Sequence, residues 1–150
     1  MRFTTATIVA TLAAAATATV IPRSDLGAWN VTISSTGGSD RARTETVTGL
    51  YANSQLTDNI PVNCHFQGML DGEVINKLTC DPESFSYTFE GAGYDDGDLY
   101  QLTLSQTLTL SGTEVTVKGV SDKFKRTCDT ITGKSCSASN IIVTASTGVA

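Results

Sequence analysis

Apolar and polar residues alternate along most of the chain, with a period of two and almost no helical pattern. Trp29, Val31 and Ile33 alternate with Asn30, Thr32 and Ser34. Val47 and Tyr51 mark a second segment, less cleanly. Val62, Cys64 and Phe66 alternate with Asn63, His65 and Gln67. Leu78 and Cys80 share a parity on the next segment, and Phe85, Tyr87 and Phe89 share one on the segment after it. Tyr100, Leu102, Leu104, Leu108 and Leu110 line one face of a long strand. Val115 with Val117, and Ile141 with Val143, complete the set. Successive side chains in a strand point to opposite faces, so each segment has one face to bury. Gly, Asp, Asn and Ser separate the segments. Asp71-Gly72 and Ser111-Gly112 are turn signals, and Gly91 to Asp98 reads as a longer acidic loop. The pattern predicts an all-β fold: a single small antiparallel β-barrel or sandwich of about eight to ten strands.

Parity also sorts the stretch "VNCHFQG", where Cys64 adjoins His65, the only histidine. Neighbours on a strand face opposite ways, so Cys64 points to the core and His65 points out. A nucleophile and its base must lie within hydrogen-bond reach of each other, and these two diverge. Setting Cys64 opposite Cys80 brings Phe66 opposite Leu78 on the core face. A plain two-residue Asp71-Gly72 hairpin would instead set Cys64 against Thr79. A one-residue slip exposes the whole apolar set, so the apolar register is expected to win, with a bulge or odd-length loop around Leu70 to Val74. Directly opposed positions suit the Cα spacing of a disulfide Cys64–Cys80. Cys128 and Cys136 then pair across the polar loop "DTITGKS".

The first residues change the setting. Residues 1–18 read as a signal peptide: a short charged start, an alanine-rich apolar run, and small residues at Ala14, Ala16 and Ala18. The run is shorter than the roughly 20 residues of a bilayer span. Residues 19–27 read as a loose leader and 28–150 as the secreted domain. Four cysteines outside the cell imply two disulfides, and no C-x-x-C pair provides a zinc ribbon. The formal charge is −5, which disfavours nucleic acid. The basic run Lys123-Phe124-Lys125-Arg126 reads as a solvated loop, and Lys125-Arg126 as a dibasic pair open to processing enzymes. No cofactor and no metal are expected. Asp95, Asp96 and Asp98 lack the ligand spacing and late Glu of a calcium loop.

Candidate chemistry is sparse. Asn30-Val31-Thr32 is a glycosylation sequon on an outward position. Glu45, Glu73, Glu83, Glu90 and Glu114 offer no evident pair across a cleft, as glycoside hydrolysis needs. A Ser-His-Asp triad would need His65, and no G-x-S-x-G elbow is present. Gln106 stands on the apolar face of its strand. It is either a satisfied core amide or a polar group lining a barrel pocket with Tyr100 and Tyr87.

Several stretches together resemble the Alternaria major-allergen-like family of secreted fungal β-barrel proteins. They are "AWNVTIS", the cysteine-bounded segment from "VNCHF" to "LTCDPESFSYTF", "LYQLTLSQ", "CDTITGKSC" and "NIIVTAS", spanning Trp29 to Ser146. The resemblance implies the same two disulfides and no enzyme activity. It implies an allergen, effector or elicitor that binds a host protein, such as a pathogenesis-related plant protein, or a small aromatic metabolite. The family's type member forms a covalent dimer through an extra cysteine near its mature N-terminus. Thr19 to Asn63 holds none here, so no covalent dimer is expected. The expected function is therefore non-catalytic recognition of a host protein or surface. The alternatives are a small-ligand carrier using the barrel interior and a cell-wall or spore structural protein.

Overall fold

Strands form where the alternation is cleanest. A computed structural model describes residues 26–37, 43–70, 73–91, 99–129 and 135–150. The signal-peptide region, the Asp71-Gly72 turn and the acidic loop with Asp95, Asp96 and Asp98 lie outside the described residues. Nine strands are described: β1 (Ala28–Gly37), β2 (Arg43–Ala52), β3 (Ile60–Leu70), β4 (Glu73–Asp81), β5 (Phe85–Gly91), β6 (Tyr100–Leu110), β7 (Thr113–Val120), β8 (Thr127–Cys128) and β9 (Ser135–Val149). They form one antiparallel sheet in the order β4-β3-β2-β1-β9-β7-β6-β5, with β8 added to β9. The sheet curls into a nearly closed barrel. β4 and β5 are its two ends, and no ladder joins them.

The inward parities of the strands meet as one core. Trp29, Val31 and Ile33 of β1 pack with Val47 and Tyr51 of β2, Val62 and Cys64 of β3, and Phe85 of β5. Leu102, Leu104, Leu108 and Leu110 come from β6, Val115 and Val117 from β7, and Val143 from β9. Ser111 and Gly112 both take positive φ, 48° and 81°, which matches the twist of a two-residue hairpin. Gly49 is required by packing, because a Cβ there would lie 2.3 Å from the Asn30 carbonyl oxygen of β1.

The β3–β4 register is the apolar one, with Cys64 opposite Cys80 and Phe66 opposite Leu78. Leu70 pairs with Glu73 around the two-residue loop, and the register is restored deeper than expected, between Gln67 and Met69 opposite Val74 to Lys77. Asn76 takes φ 48° at this irregularity, a conformation that Asn tolerates better than most residues. Both disulfides join register partners: Cys64–Cys80, and Cys128–Cys136 between β8 and β9.

Two expectations need correction. Leu26, at the end of the segment read as a loose leader, is buried in the core, and its carbonyl accepts a hydrogen bond from the Tyr51 hydroxyl. Leu78 has the inward parity but is 42% exposed. Among the described residues β4 has no strand on its far side, so its inner face opens along the gap. Val74 and Ile75 are exposed on the same strand.

Candidate functional site

The gap between β4 and β5 is where buried polar chemistry meets an opening. The ladders set one row of residues across four strands: Ser35 opposite Glu45, Glu45 opposite Phe66, and Phe66 opposite Leu78. Tyr87 and Phe89 face this row from β5, held opposite Leu104 and Leu102 of β6. A cavity of about 290 Å³ lies between the two sides, lined by Arg43, Glu45, Phe66, Leu78, Tyr87, Thr88 and Phe89.

Glu45 forms the floor of this seam and is only 6% exposed. The Tyr87 hydroxyl donates to its Oε1 at 2.7 Å. Burial first, then that hydrogen bond and the carboxylate's charge, hold the Tyr87 phenol far above the usual tyrosine range, with Arg43 opposing. Burying a carboxylate is costly unless it is hydrogen-bonded, and here the phenol shares the burden. Among the described residues no hydrogen bond reaches Glu45 Oε2.

A second polar group lies behind Phe89. The Phe89 and Tyr100 rings stack with centroids 5.0 Å apart and planes 2° from parallel. The guanidinium of Arg126 lies 4.0 Å from the Tyr100 centroid and 5.3 Å from that of Phe89. It donates from Nη1 to Ser35 Oγ and from Nη2 to the Tyr100 hydroxyl, each at 2.8 Å, while its buried Nε has no partner among the described residues. The solvated reading of the basic run is therefore corrected at Arg126, which turns inward and is buried. Lys123 and Lys125 remain exposed.

The residues singled out from the sequence fall in three places. Gln106 is buried deep in the barrel and accepts a hydrogen bond from Trp29 Nε1, away from the seam. Tyr87 lines the seam, and Tyr100 supports it from behind Phe89. Asn30 is exposed on the outer face of β1. His65 is exposed on the outer face of β3, with Nδ1 3.4 Å from Thr46 Oγ1. Glu73, Glu83, Glu90 and Glu114 are all exposed, so Glu45 alone among these glutamates is buried. Its parity with Val47 and Tyr51 was the available signal. Phe66, Leu78 and Phe89 read from the sequence as ordinary core, and nothing in their pattern marked an opening.

Among the described residues no cluster of three or more His, Cys, Asp or Glu could hold a metal ion, and no helix is long and apolar enough to cross a membrane. Comparison with protein families, curated proteins and solved structures returned no match.

Proposed function

We propose that this chain is a secreted, non-catalytic recognition protein that binds a host protein through its outer surface and seam. The observation that carries this reading is the filled interior. Trp29, Tyr51, Phe85, Ile33, Leu104 and Gln106 are all almost fully buried and occupy the barrel centre. Small-molecule sites commonly enclose about 300–1,000 Å³. The seam cavity, about 290 Å³, lies at the foot of that range and opens at the barrel wall. The larger cavities, about 530 Å³ beside Phe124 and Ile142 and about 480 Å³ beside Gly27 and Asn53, are likewise open at the surface, so recognition falls to the surface. The two disulfides support an oxidising, extracellular setting.

A small-ligand carrier is the second reading. The aromatic lining of the seam by Tyr87 and Phe89 favours it, and a small aromatic metabolite is the ligand that the family resemblance implies. A pull-down from plant apoplastic fluid with the oxidised mature protein tests the first reading, with reduced protein as the control. The expected result is a host protein retained by the oxidised form alone. Recovery of no host protein overturns it.

A further inference from the structure

The seam is more than a cavity, because it is bounded by two strand edges. The amide of Thr107 donates to the Ser84 carbonyl, so Ser84 faces β6. Backbone direction alternates along a strand, so Ser86, Thr88 and Glu90 also face β6. The N–H and C=O groups of Tyr87 and Phe89 therefore point into the gap, where β4 forms no ladder with them. Exposed edges are usually blunted by bulges or charges. β4 has both, with its irregularity at Asn76 flanked by Glu73 and Lys77. The stretch of β5 from Tyr87 to Phe89 has neither.

We infer that the seam is a docking slot for an extended segment of a partner protein, which adds as a strand on the edge of β5 and inserts one basic side chain onto Glu45. The inference deepens the recognition reading and rests on it for the kind of partner. Strand addition draws its affinity from main-chain hydrogen bonds and its selectivity from pockets for alternate side chains. The pocket here has an acidic floor and apolar walls. Phe66, Leu78 and Phe89 suit the methylene stem of a lysine, and Glu45 Oε2 suits its ammonium. Arg43 also lines the slot, but it is exposed, so solvent screens it more strongly than the buried Glu45. The chain's net charge of −5 draws a basic segment toward it.

A capped peptide of about seven residues tests this, with valine inward, threonine outward and lysine at the centre. Its affinity is measured by calorimetry and its contacts by amide exchange. The wild-type protein is expected to bind it and to gain protection at the Tyr87 and Phe89 amides. Replacing the lysine by norleucine, or Glu45→Gln in the protein, is expected to weaken binding about tenfold or more. The two changes together should cost little more than either alone. Leu78→Lys, at an exposed rim position, places a cation in the slot without touching the closed core and should also abolish binding. The slot is overturned by equal binding of the two peptides, by no effect of Glu45→Gln or Leu78→Lys, or by no protection at Tyr87 and Phe89. Butylamine binding as tightly as the peptide also overturns it, in favour of a small-amine site. If a host protein is captured equally by wild type and Glu45→Gln, the slot fails and the recognition reading stands. If the peptide binds as expected but no host protein is captured, the recognition reading fails and the slot stands.

Discussion

The indole Nε1 of Trp29 donates to Gln106 Oε1 at 2.9 Å, joining β1 to β6 across the barrel interior. Gln106 is 1% exposed and Trp29 is fully buried, so neither group has water as a substitute. Gln106→Leu leaves the indole N–H buried and unpaired. The expected cost is about 1–3 kcal/mol, read as a lower denaturation midpoint in urea. Trp29→Phe added to Gln106→Leu removes the orphaned donor and should recover part of that loss. A Gln106→Leu protein as stable as the wild type would contradict the role assigned to this bond.

Reduction should destabilise the barrel strongly. The two disulfides span sequence separations of 16 and 8 residues. Chain-entropy reasoning assigns them about 3 and about 2.5 kcal/mol, against a typical total of about 5–15 kcal/mol for a domain. Replacing each pair by serines in turn, followed by thermal melts, measures both contributions. The Cys64–Cys80 pair should cost more, because it closes the longer loop.

Arg126 should be protected from dibasic processing. Its guanidinium is covered by Tyr100 and Phe89 and held by Ser35. At 6% exposure it cannot enter a protease subsite while the barrel is folded. The oxidised protein should resist a dibasic-specific protease after Arg126, and the reduced, heated protein should be cut there. Mass spectrometry of the fragments decides. Equal cutting of both forms would show that this segment opens in the native state.

Alkaline pH should unfold the protein, and the sign follows from two phenols. Burial raises Tyr51, with the Asn53 hydrogen bond opposing. Burial and Glu45 raise Tyr87. A folded state that keeps its phenol proton longer than the unfolded chain loses stability as pH rises. The contribution is whole below the unfolded tyrosine value of about 10 and is lost above it. Ultraviolet titration of the tyrosinates, alongside circular dichroism, should show Tyr87 ionising together with unfolding. Tyr87→Phe should extend the stable range upward in pH. A tyrosinate titration completed before any loss of structure would contradict this.

Much of the fold was legible because most strands declare a buried face by their period of two; β4 is the exception, exposed from Glu73 to Thr79. The row Val62, Cys64, Phe66 was enough to set the β3–β4 register and one disulfide, since a slip would expose all three. That register and a two-residue turn cannot coexist without an irregularity, which the sequence alone leaves open between a bulge and an odd-length loop. The structure keeps the two-residue loop and places the irregularity between Gln67 and Met69. The candidate site was less legible. The sequence points to Tyr87, which does line the seam, and to Gln106, which lies deep in the core against Trp29. Glu45 carried the inward parity of Val47 and Tyr51, but parity does not say what a buried carboxylate meets.

The sequence by itself determined the fold class, the strand faces, the β3–β4 pairing and the outward position of His65. All of these are local consequences of alternation and of the need to bury apolar surface. The tertiary structure alone decided which strands became the two ends of the sheet. That choice left Leu78 exposed, opened the gap beside Tyr87 and Phe89, and set Glu45 beneath it. It also turned Arg126 from the end of a basic run into a cation buried against Tyr100. These outcomes depend on long-range closure of the sheet, where curvature and register accumulate across all the strands. No short window of residues encodes that sum.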